Sequence, residues 1–589
     1  MITNNNNPAR LTVQTTLALP RRLLLALCVL YIVPGLLGRD PWKNDDAAGF
    51  GLMWSMAHGN WHDWLLPNLA GRMVTEEAPL MFWLGAASIK IFGWLGGLLH
   101  FQAELFATRL VTGLLFLMTC AFLWYAAYQL ARRAEAQPFN YAFGGHPSPL
   151  NYGRTLADGT LLIFLATLGL AARIHESTAE VAQLALLSMS LFGAARSLRN
   201  QITGSIYLGV GLGGLALASH PVLPAVVLLL FVLVAGFSKT LRPLIKFWLG
   251  ISLPLAALLA ASWPWLAWQL DPQAPAFLQQ WWQDGLQYVF QPTATAWRFI
   301  AKNYIWYSWP LWPLAVWAAW SWRDYWQAPH IALPLALTLA TQLYLLLHGH
   351  AAEALFMMTV PGMAVLAAFA LPTLKRGTVN AIDWFALMIS SVAGLVIWVM
   401  WIAKMTGYPV KLANNLARIA PGFIPQFNLM AFVFAIAVTA AWFVIVHWRV
   451  SRHPKVLWRA VVLSSGGLIF SWVLLMTLWM PFINYTKTYR NVAQQMVANL
   501  PPDYDCVGTI GLGNGQLASF LYFQNIRFDE INPARCHYYL LQDQAGQDHT
   551  SDSLPRSLEM DWTVIWEGRR VSDRDERLRL VRQMRARMQ

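Results

Sequence analysis

The sequence predicts an all-α polytopic membrane protein carrying a small α/β domain at its C-terminal end. Three observations predict it. Apolar residues make up 57% of the 589 and charged residues only 12%, where a soluble domain carries about 25% charged residues. The apolar residues gather into runs near the length of about 20 that a spanning helix needs. After about residue 481 the composition changes, and short strand-like and helix-like segments alternate. The mean hydropathy is +0.42. The 31 Trp, 18 Tyr and 30 Phe suit a chain with many ends at bilayer surfaces. A soluble enzyme, a disordered chain and a disulfide mini-protein are excluded. The net charge of +13 does not point to nucleic acid, because the basic residues are scattered in short loops between apolar runs.

In chain order, the spans fall at roughly 22–38, 106–131, 157–172, 180–195, 203–219, 221–237, 244–263, 308–322, 331–347, 354–371, 381–402, 428–447 and 460–480. The first follows Arg21 and Arg22 and has no small-residue cleavage site before Arg39 and Asp40, so it reads as an anchor. Basic clusters at Arg21/Arg22, Arg132/Arg133, Arg196/Arg199, Lys239/Arg242/Lys246, Lys375/Arg376 and Arg449/Arg452/Lys455/Arg459 belong on the cytoplasmic side. That assignment leaves one apolar run too many before Arg132. Leu80–Leu99, broken by Lys90 and Gly93, is the weakest, and it reads as an interfacial or re-entrant helix in one outer loop, 39–105. The expectation is about 13 crossings in a 1–480 membrane domain, with the N-terminus inside. The 481–589 α/β domain lies outside, in the periplasm of a bacterial inner-membrane protein.

The stretch 135–153 (EAQPFNYAFGGHPSPLNYG) is rich in Pro, Gly and Asn and reads as a cytoplasmic loop. In the tail, residues 484–500 suggest an amphipathic helix. CVGTIGL reads as a strand, LASFLYF as a helix, and CHYYLLQ and WTVIWEG as strands. The turn GLGNG at 511–515 is either a plain turn or a phosphate cradle. Cys28 and Cys120 lie in apolar runs and read as inert small residues. Cys506 and Cys536 open the first two tail strands. Neighbouring parallel strands of a βαβ unit bring their starts together, and the periplasm preserves disulfides, so this pair is expected to be bonded.

Chemistry gathers on the outer side. Asp45, Asp46, Asp63, Glu76, Glu77, Glu176, Glu180, Asp284 and Glu353 all fall there, with His58, His62, His175, His220, His348 and His350, and ionisable groups at a membrane surface commonly face a cavity. The first outer loop reads W-K-N-D-D-A-A-G-F-G, M-A-H-G-N-W, L-L-P-N-L-A-G and E-E-A-P-L-M-F-W-L. Over residues 39–100 it resembles the first periplasmic loop of the lipid-linked-sugar glycosyltransferases of the GT-C fold. The nearest resemblance is to the aminoarabinose lipid A transferases, relatives of the protein O-mannosyltransferases. Their pattern runs W-x-x-D-E-x-R-Y-A, M-x-x-x-G-D-W, P-x-x-x-G and E-K-P-P-L-x-Y-W.

The resemblance implies a catalytic carboxylate at Asp45, with Asp46 as the neighbouring acid and Glu76 heading the second motif. It implies a further catalytic acid at Glu180, in a stretch that also holds Arg173, His175 and Glu176. A later outer loop, roughly 264–307, supplies Asp284, Arg298, Lys302 and Tyr304 as candidate donor contacts. Two departures stand out. The family's Arg-Tyr is Ala48-Gly49 here, and its motif Lys is Glu77. Either other cations (Arg72, Arg173 or Lys302) hold the donor phosphate, or a divalent ion (Mg²⁺, Mn²⁺, Ca²⁺ or Zn²⁺) bridges it to Glu76 and Glu77, or the activity is altered.

The implied activity is transfer of a sugar from a polyprenyl-phosphate donor to lipid A or another cell-envelope acceptor, with inversion. A carboxylate within reach of the acceptor takes its proton, and the departing lipid phosphate needs positive charge. The alternative is a transporter or flippase for lipid-linked sugars. That alternative calls for charges midway along broken helices, whereas this chain keeps its acids at outer helix ends. His220, in S-H-P-V-L-P, reads as a turn histidine. H-G-H-A-A-E at 348–353 lacks the i,i+4 histidine spacing of a helical zinc site.

Overall fold

The computed structural model describes residues 7–11, 16, 19–42, 44–96, 102–138, 145–349, 352–450, 456–544, 562–573 and 575–583. Each of the thirteen apolar runs holds a helix. Among the described residues, eight helices are long and apolar enough to cross a membrane. The other five runs give shorter or more polar helices. Pro149–Leu165 carries Arg154 and Asp158, Ala179–Ser197 carries Glu180 and Gln183, and Leu311–Ser321 has eleven residues.

The chain opens with α1 (Arg21–Leu36). The outer loop that follows is folded rather than loose. It contains α2 (Asp45–His58), the short α3 (Trp61–Leu65), an antiparallel pair β1 (Asn68–Leu69) and β2 (Arg72–Met73), and α4 (Leu80–Phe92). Residues 97–99 of the expected interfacial run lie outside the described residues. Then come the long helix Ala103–Ala131, Pro149–Leu165, the single turn Leu170–Arg173 and Ala179–Ser197. Ala179–Ser197 packs closely on Gln201–Ala218, because Gly193 lies against the Leu208 backbone and a Cβ there would overlap it. Small residues permit such close approach in membranes.

Two boundaries differ from expectation. The 135–153 stretch is not all loop: Ser148 caps the next helix, its hydroxyl accepting from the Asn151 amide at 3.3 Å, with Pro149 at the first helical position. A polar first turn hid a standard N-terminal signal. The 264–307 loop is almost wholly helical, with Arg242–Leu270 running on to Leu270, followed by Ala274–Phe290 and Ala294–Tyr307.

The tail opens with helices Met480–Lys487 and Arg490–Val497. It continues as β3 (Val507–Ile510), the tail helix Asn514–Gln524, β4 (Tyr538–Gln544), β5 (Trp562–Gly568) and β6 (Glu576–Gln583). The sheet order is β3-β4-β6-β5, with β3 and β4 parallel and β6 antiparallel to both of its neighbours. β6 was not expected, because half of ERLRLVRQ is charged. It forms the centre of the sheet by burying Leu578 and Leu580 and pairing the buried Arg579 with Asp543.

Cys506 and Cys536 are bonded, with Cα atoms 5.0 Å apart. They close a loop around the tail helix. A loop of this length stabilises by about 3–4 kcal/mol in the chain-entropy view. Labelling the unfolded protein with a thiol reagent is therefore expected to modify two cysteines without reductant and four with it. Four in both samples would mean that the bond does not form. Apolar residues of the tail, including Leu517, Phe520 and Leu540, share one continuous core with α2 and the membrane helices.

Candidate active site

The site is organised where α2 begins. Asn44, with φ of +64°, turns the chain into the helix, and asparagine tolerates that region better than most residues. Asp45 and Asp46 then occupy the first turn, where the helix dipole favours acids. Successive helical residues point about 100° apart, so the two carboxylates meet different surroundings.

Asp46 is only 1% exposed and is fully bonded. Arg109 grips it with both terminal nitrogens, at 2.7 and 2.8 Å. The amides of Ser177 and Trp42 donate to it at 2.8 and 3.1 Å, and Arg39 lies at 3.6 Å. Burial alone would raise its carboxyl, but Arg109 and Arg39 outweigh burial and hold it down to about 2. No acceptor position remains for a substrate. Arg109 also donates to the His175 carbonyl and the Ser177 hydroxyl. One guanidinium thus ties α2, the long helix and the 175–177 loop together.

Asp45 is the accessible partner, its side chain 42% exposed and 3.4 Å from Arg173. Arg173 also meets Glu176 at 3.1 Å and Glu353 at 3.1 Å. Desolvation raises the Asp45 carboxyl despite Arg173, which favours a proton acceptor over a permanently ionised anchor. Glu176 is buried and shared between Arg173 and Arg39. Burial carries its carboxyl to about 7 against the pull of both arginines. The Arg39 guanidinium lies 3.8 Å over the Trp42 ring.

A second group of acids lies within electrostatic reach of Asp45. Glu77 is half-buried. Its carboxyl is raised well above the usual range, first by burial and then by the charges of Glu180, Glu76 and Asp45. Glu180 heads Ala179–Ser197 and lies within electrostatic reach of Asp45. Among the described residues its buried Oε2 has no hydrogen-bond partner. Glu76 is exposed. Glu76 and Glu77 are the pair on which a divalent ion is expected; among the described residues no three His, Cys, Asp or Glu side chains stand close enough to hold an ion by themselves. His350, in the expected 348–353 pattern, lies outside the described residues.

The remaining candidates separate. His175 is fully buried, and its ring nitrogens face the Ala171 and Tyr31 carbonyls at 2.7 and 3.0 Å, so it braces the loop from below. Arg72 is engaged by Glu530, Thr509 and the Leu512 carbonyl and is not available to a phosphate. Asp284 accepts from the Thr75 hydroxyl at 2.6 Å, beside the second motif. Tyr304 bonds Thr359, in the segment that follows Glu353, at 3.0 Å and also Gln342 on Pro329–Leu347. Lys302, two residues before Tyr304 on Ala294–Tyr307, is exposed, and no ion pair engages it among the described residues. His220 packs on Trp281 and Trp282 as a turn residue.

No protein-family profile and no curated protein matches the sequence. Solved structures do match it in shape. ArnT from Cupriavidus metallidurans bound to undecaprenyl phosphate superposes with a TM-score of 0.64 at 15% identity, over 95% of this chain and 97% of that one. The same protein in the apo state matches equally. The chain has the ArnT fold. AglB from Archaeoglobus fulgidus, an oligosaccharyltransferase in complex with an inhibitory peptide and a dolichol-phosphate, gives 0.43 at 12% identity, over 89% of this chain and 69% of that one. The ArnT fold is the GT-C architecture implied by the first outer loop.

Within the ArnT fold, one of this chain's departures from the loop pattern has a physical cause. Gly49 stands where the family's Tyr is expected, and a Cβ there would overlap the Ser177 carbonyl oxygen. α2 therefore packs directly on the loop that feeds Asp46. The tail supports the site from above. Gly515 approaches the Asn44 backbone so closely that a Cβ would lie 2.5 Å from its oxygen and 2.8 Å from its Cα. Phe50 meets Tyr522 edge-on at 4.6 Å. Asn484 bonds the Trp42 indole at 2.9 Å, and Arg490 pairs with Asp40 at 2.7 Å. The GLGNG turn is thus the seat of the turn before Asp45. Gly515→Val is expected to displace Asn44 and to lower any turnover that depends on Asp45 at least tenfold. Steady-state kinetics on the purified variant checks this; wild-type turnover would show that the contact gives way at no cost.

Proposed function

We propose that this chain is a bacterial inner-membrane glycosyltransferase that takes a sugar from a polyprenyl-phosphate donor. It passes the sugar to lipid A or another cell-envelope acceptor at the periplasmic face, with inversion. The observation that carries the reading is the Asp45–Arg173 pair. It sets an accessible carboxylate with a raised pKa 3.4 Å from a guanidinium, in the fold of a protein crystallised with undecaprenyl phosphate.

In the proposed step, the acceptor oxygen bonds to the anomeric carbon as the bond from that carbon to the lipid-phosphate oxygen breaks. The electron pair leaves with the phosphate. The acceptor proton passes to Asp45. Arg173 and Lys302 meet the charge that develops on the phosphate, while Asp284 and Tyr304 border the donor. Glu180, Glu76 and Glu77 face the sugar as hydrogen-bond partners. Asp46 and His175 act through position alone, by fixing α2 and the 175–177 loop.

The test is transfer by the purified chain in detergent, from a labelled polyprenyl-phosphate sugar to lipid A. A flippase would need a sealed membrane compartment, whereas a transferase does not. Absence of product with any lipid or glycan acceptor, from folded protein, would refute the reading.

A pH effect follows from Glu176. Its carboxyl is raised, so the group is neutral below about 7 and becomes an anion as pH rises through that value. The anion then competes with the donor phosphate for Arg173. Donor KM is expected to rise on the alkaline side of pH 7 in the wild type and to stay flat in Glu176→Gln. Superimposable KM profiles would detach Glu176 from donor binding. The same sign applies to stability: the native state keeps a proton that the unfolded chain has lost, so this contribution fades as pH rises through about 7.

A further inference from the structure

We propose that the membrane face opposite Asp45 holds a specific site for an anionic phospholipid whose headgroup carries two phosphates. The long helix Ala103–Ala131 has Arg109 at the Asp45 end, and Arg132 follows its other end. At 1.5 Å of rise per residue the two arginines stand roughly 35 Å apart, about the thickness of a bilayer core. Ala179–Ser197 runs the same way, from Glu180 to Arg196. The far ends of these two helices and the start of Pro149–Leu165 enclose a cavity of about 460 Å³, lined by Tyr125, Tyr128, Arg132, Arg133, Arg196 and Arg199.

Its charge is not balanced. Glu135 pairs with Arg133 at 3.2 Å. Among the described residues, no carboxylate pairs with Arg132, Arg196 or Arg199. The Arg132 guanidinium rests over the Tyr128 ring at 5.1 Å, and its stem lies against Gly153, so it is held at the cavity wall. A preference for basic residues on one membrane face accounts for arginines at helix ends. It does not account for four of them, from two helices, converging on one concavity. Basic pockets between membrane helices suit phosphorylated lipid headgroups, and guanidinium groups bind phosphate through paired donors.

The membrane-facing side of the cavity favours a lipid over a soluble anion. Tyr125 is exposed, and Tyr125, Phe122, Phe192 and Tyr207 form a contiguous aromatic wall with ring centres 5.1–6.2 Å apart. Acyl chains of a lipid seated on the arginines would lie along this wall. Three unpaired guanidinium groups match two phosphates better than one. The site is separate from the Asp45 chemistry and does not rest on the proposed activity.

The test is native mass spectrometry of the delipidated full chain in detergent, titrated separately with cardiolipin, phosphatidylglycerol, phosphatidylethanolamine and inorganic pyrophosphate. One cardiolipin is expected to bind per chain, at least tenfold more tightly than phosphatidylglycerol, with no saturable binding of phosphatidylethanolamine. Arg196→Gln/Arg199→Gln should lose at least tenfold, while Arg242→Gln, outside the cavity, retains wild-type affinity. Arg199→Gln alone, at an exposed residue, serves if the double variant does not fold, and should weaken binding at least threefold. Unchanged cardiolipin affinity in the variants would overturn the proposal. Pyrophosphate displacing the lipid at equal concentration would make this a soluble-anion site instead. Phosphatidylglycerol binding as tightly as cardiolipin would overturn the two-phosphate assignment.

Discussion

Asp45→Asn is expected to lower the transfer rate by about 10²–10⁴, the usual range for loss of a general base, while leaving the amount of folded protein in the membrane unchanged. The second half of that statement comes from geometry. Asp45 is half-exposed and has one ionic contact, 3.4 Å from Arg173, and accessible pairs of this kind contribute about 0–1 kcal/mol. Asparagine keeps the shape and the place in the first turn of α2. Asp46→Asn makes the contrast. It removes charge from a carboxylate that two arginines and two amides hold, so its main effect is expected on melting temperature and yield. Kinetics and melting curves on both purified variants separate the two roles. Near-normal turnover in Asp45→Asn would end its assignment as the base, and Glu180, whose buried oxygen has no partner among the described residues, would be tested next.

Arg109→Leu is expected to be the most destabilising single change at the site. It leaves Asp46 buried and without its bidentate partner, and breaking a buried pair from one side costs about 3–5 kcal/mol. Arg39, at 3.6 Å, is too distant and too engaged with Glu176 to substitute. Arg109→Lys keeps the charge but loses the fork and should fall between wild type and Arg109→Leu. Adding Asp46→Asn to Arg109→Leu removes the stranded charge and should recover part of the loss. Thermal melting of the four proteins in one detergent gives the comparison. A double variant no more stable than Arg109→Leu would mean that the damage comes from lost packing rather than from an unpaired anion.

Much of the architecture was legible in the sequence because it depends on local signals. All thirteen apolar runs contain helices, and the βαβ start of the tail, with its bonded cysteines, follows from strand alternation and cysteine placement. At the candidate site the sequence speaks only through short motifs, which point to Asp45, Asp46 and Glu76; the structure sets the first two in the opening turn of α2. Arg109 was passed over as one charge in an apolar run, although a lone arginine there asks for a buried acid. Its partner lies in a different element, and spacing along the chain says nothing about that meeting. Arg39 and Glu353 were missed as partners for the same reason. The GLGNG turn invited a phosphate reading from its glycines. The real constraint on Gly515 is the Asn44 backbone, which comes from the far end of the chain. β6 was missed because its arginines masked its apolar residues, and the partner of the buried Arg579 is Asp543, which lies on another strand, β4.

The meeting of Asn44 with Gly515 also sets an order in time. A ribosome adds roughly 5–20 residues per second and domains settle as they emerge, so the first outer loop is made well before the tail that braces it. Until the last strands are complete and Cys506 has found Cys536, the turn before Asp45 lacks its seat. A chain stalled or cut before the tail therefore carries the acid, the arginines and nearly all of its membrane helices without the geometry that aligns them. Alignment of the acid pair therefore waits for the tail, and a copy cut before it has no finished turn ahead of Asp45.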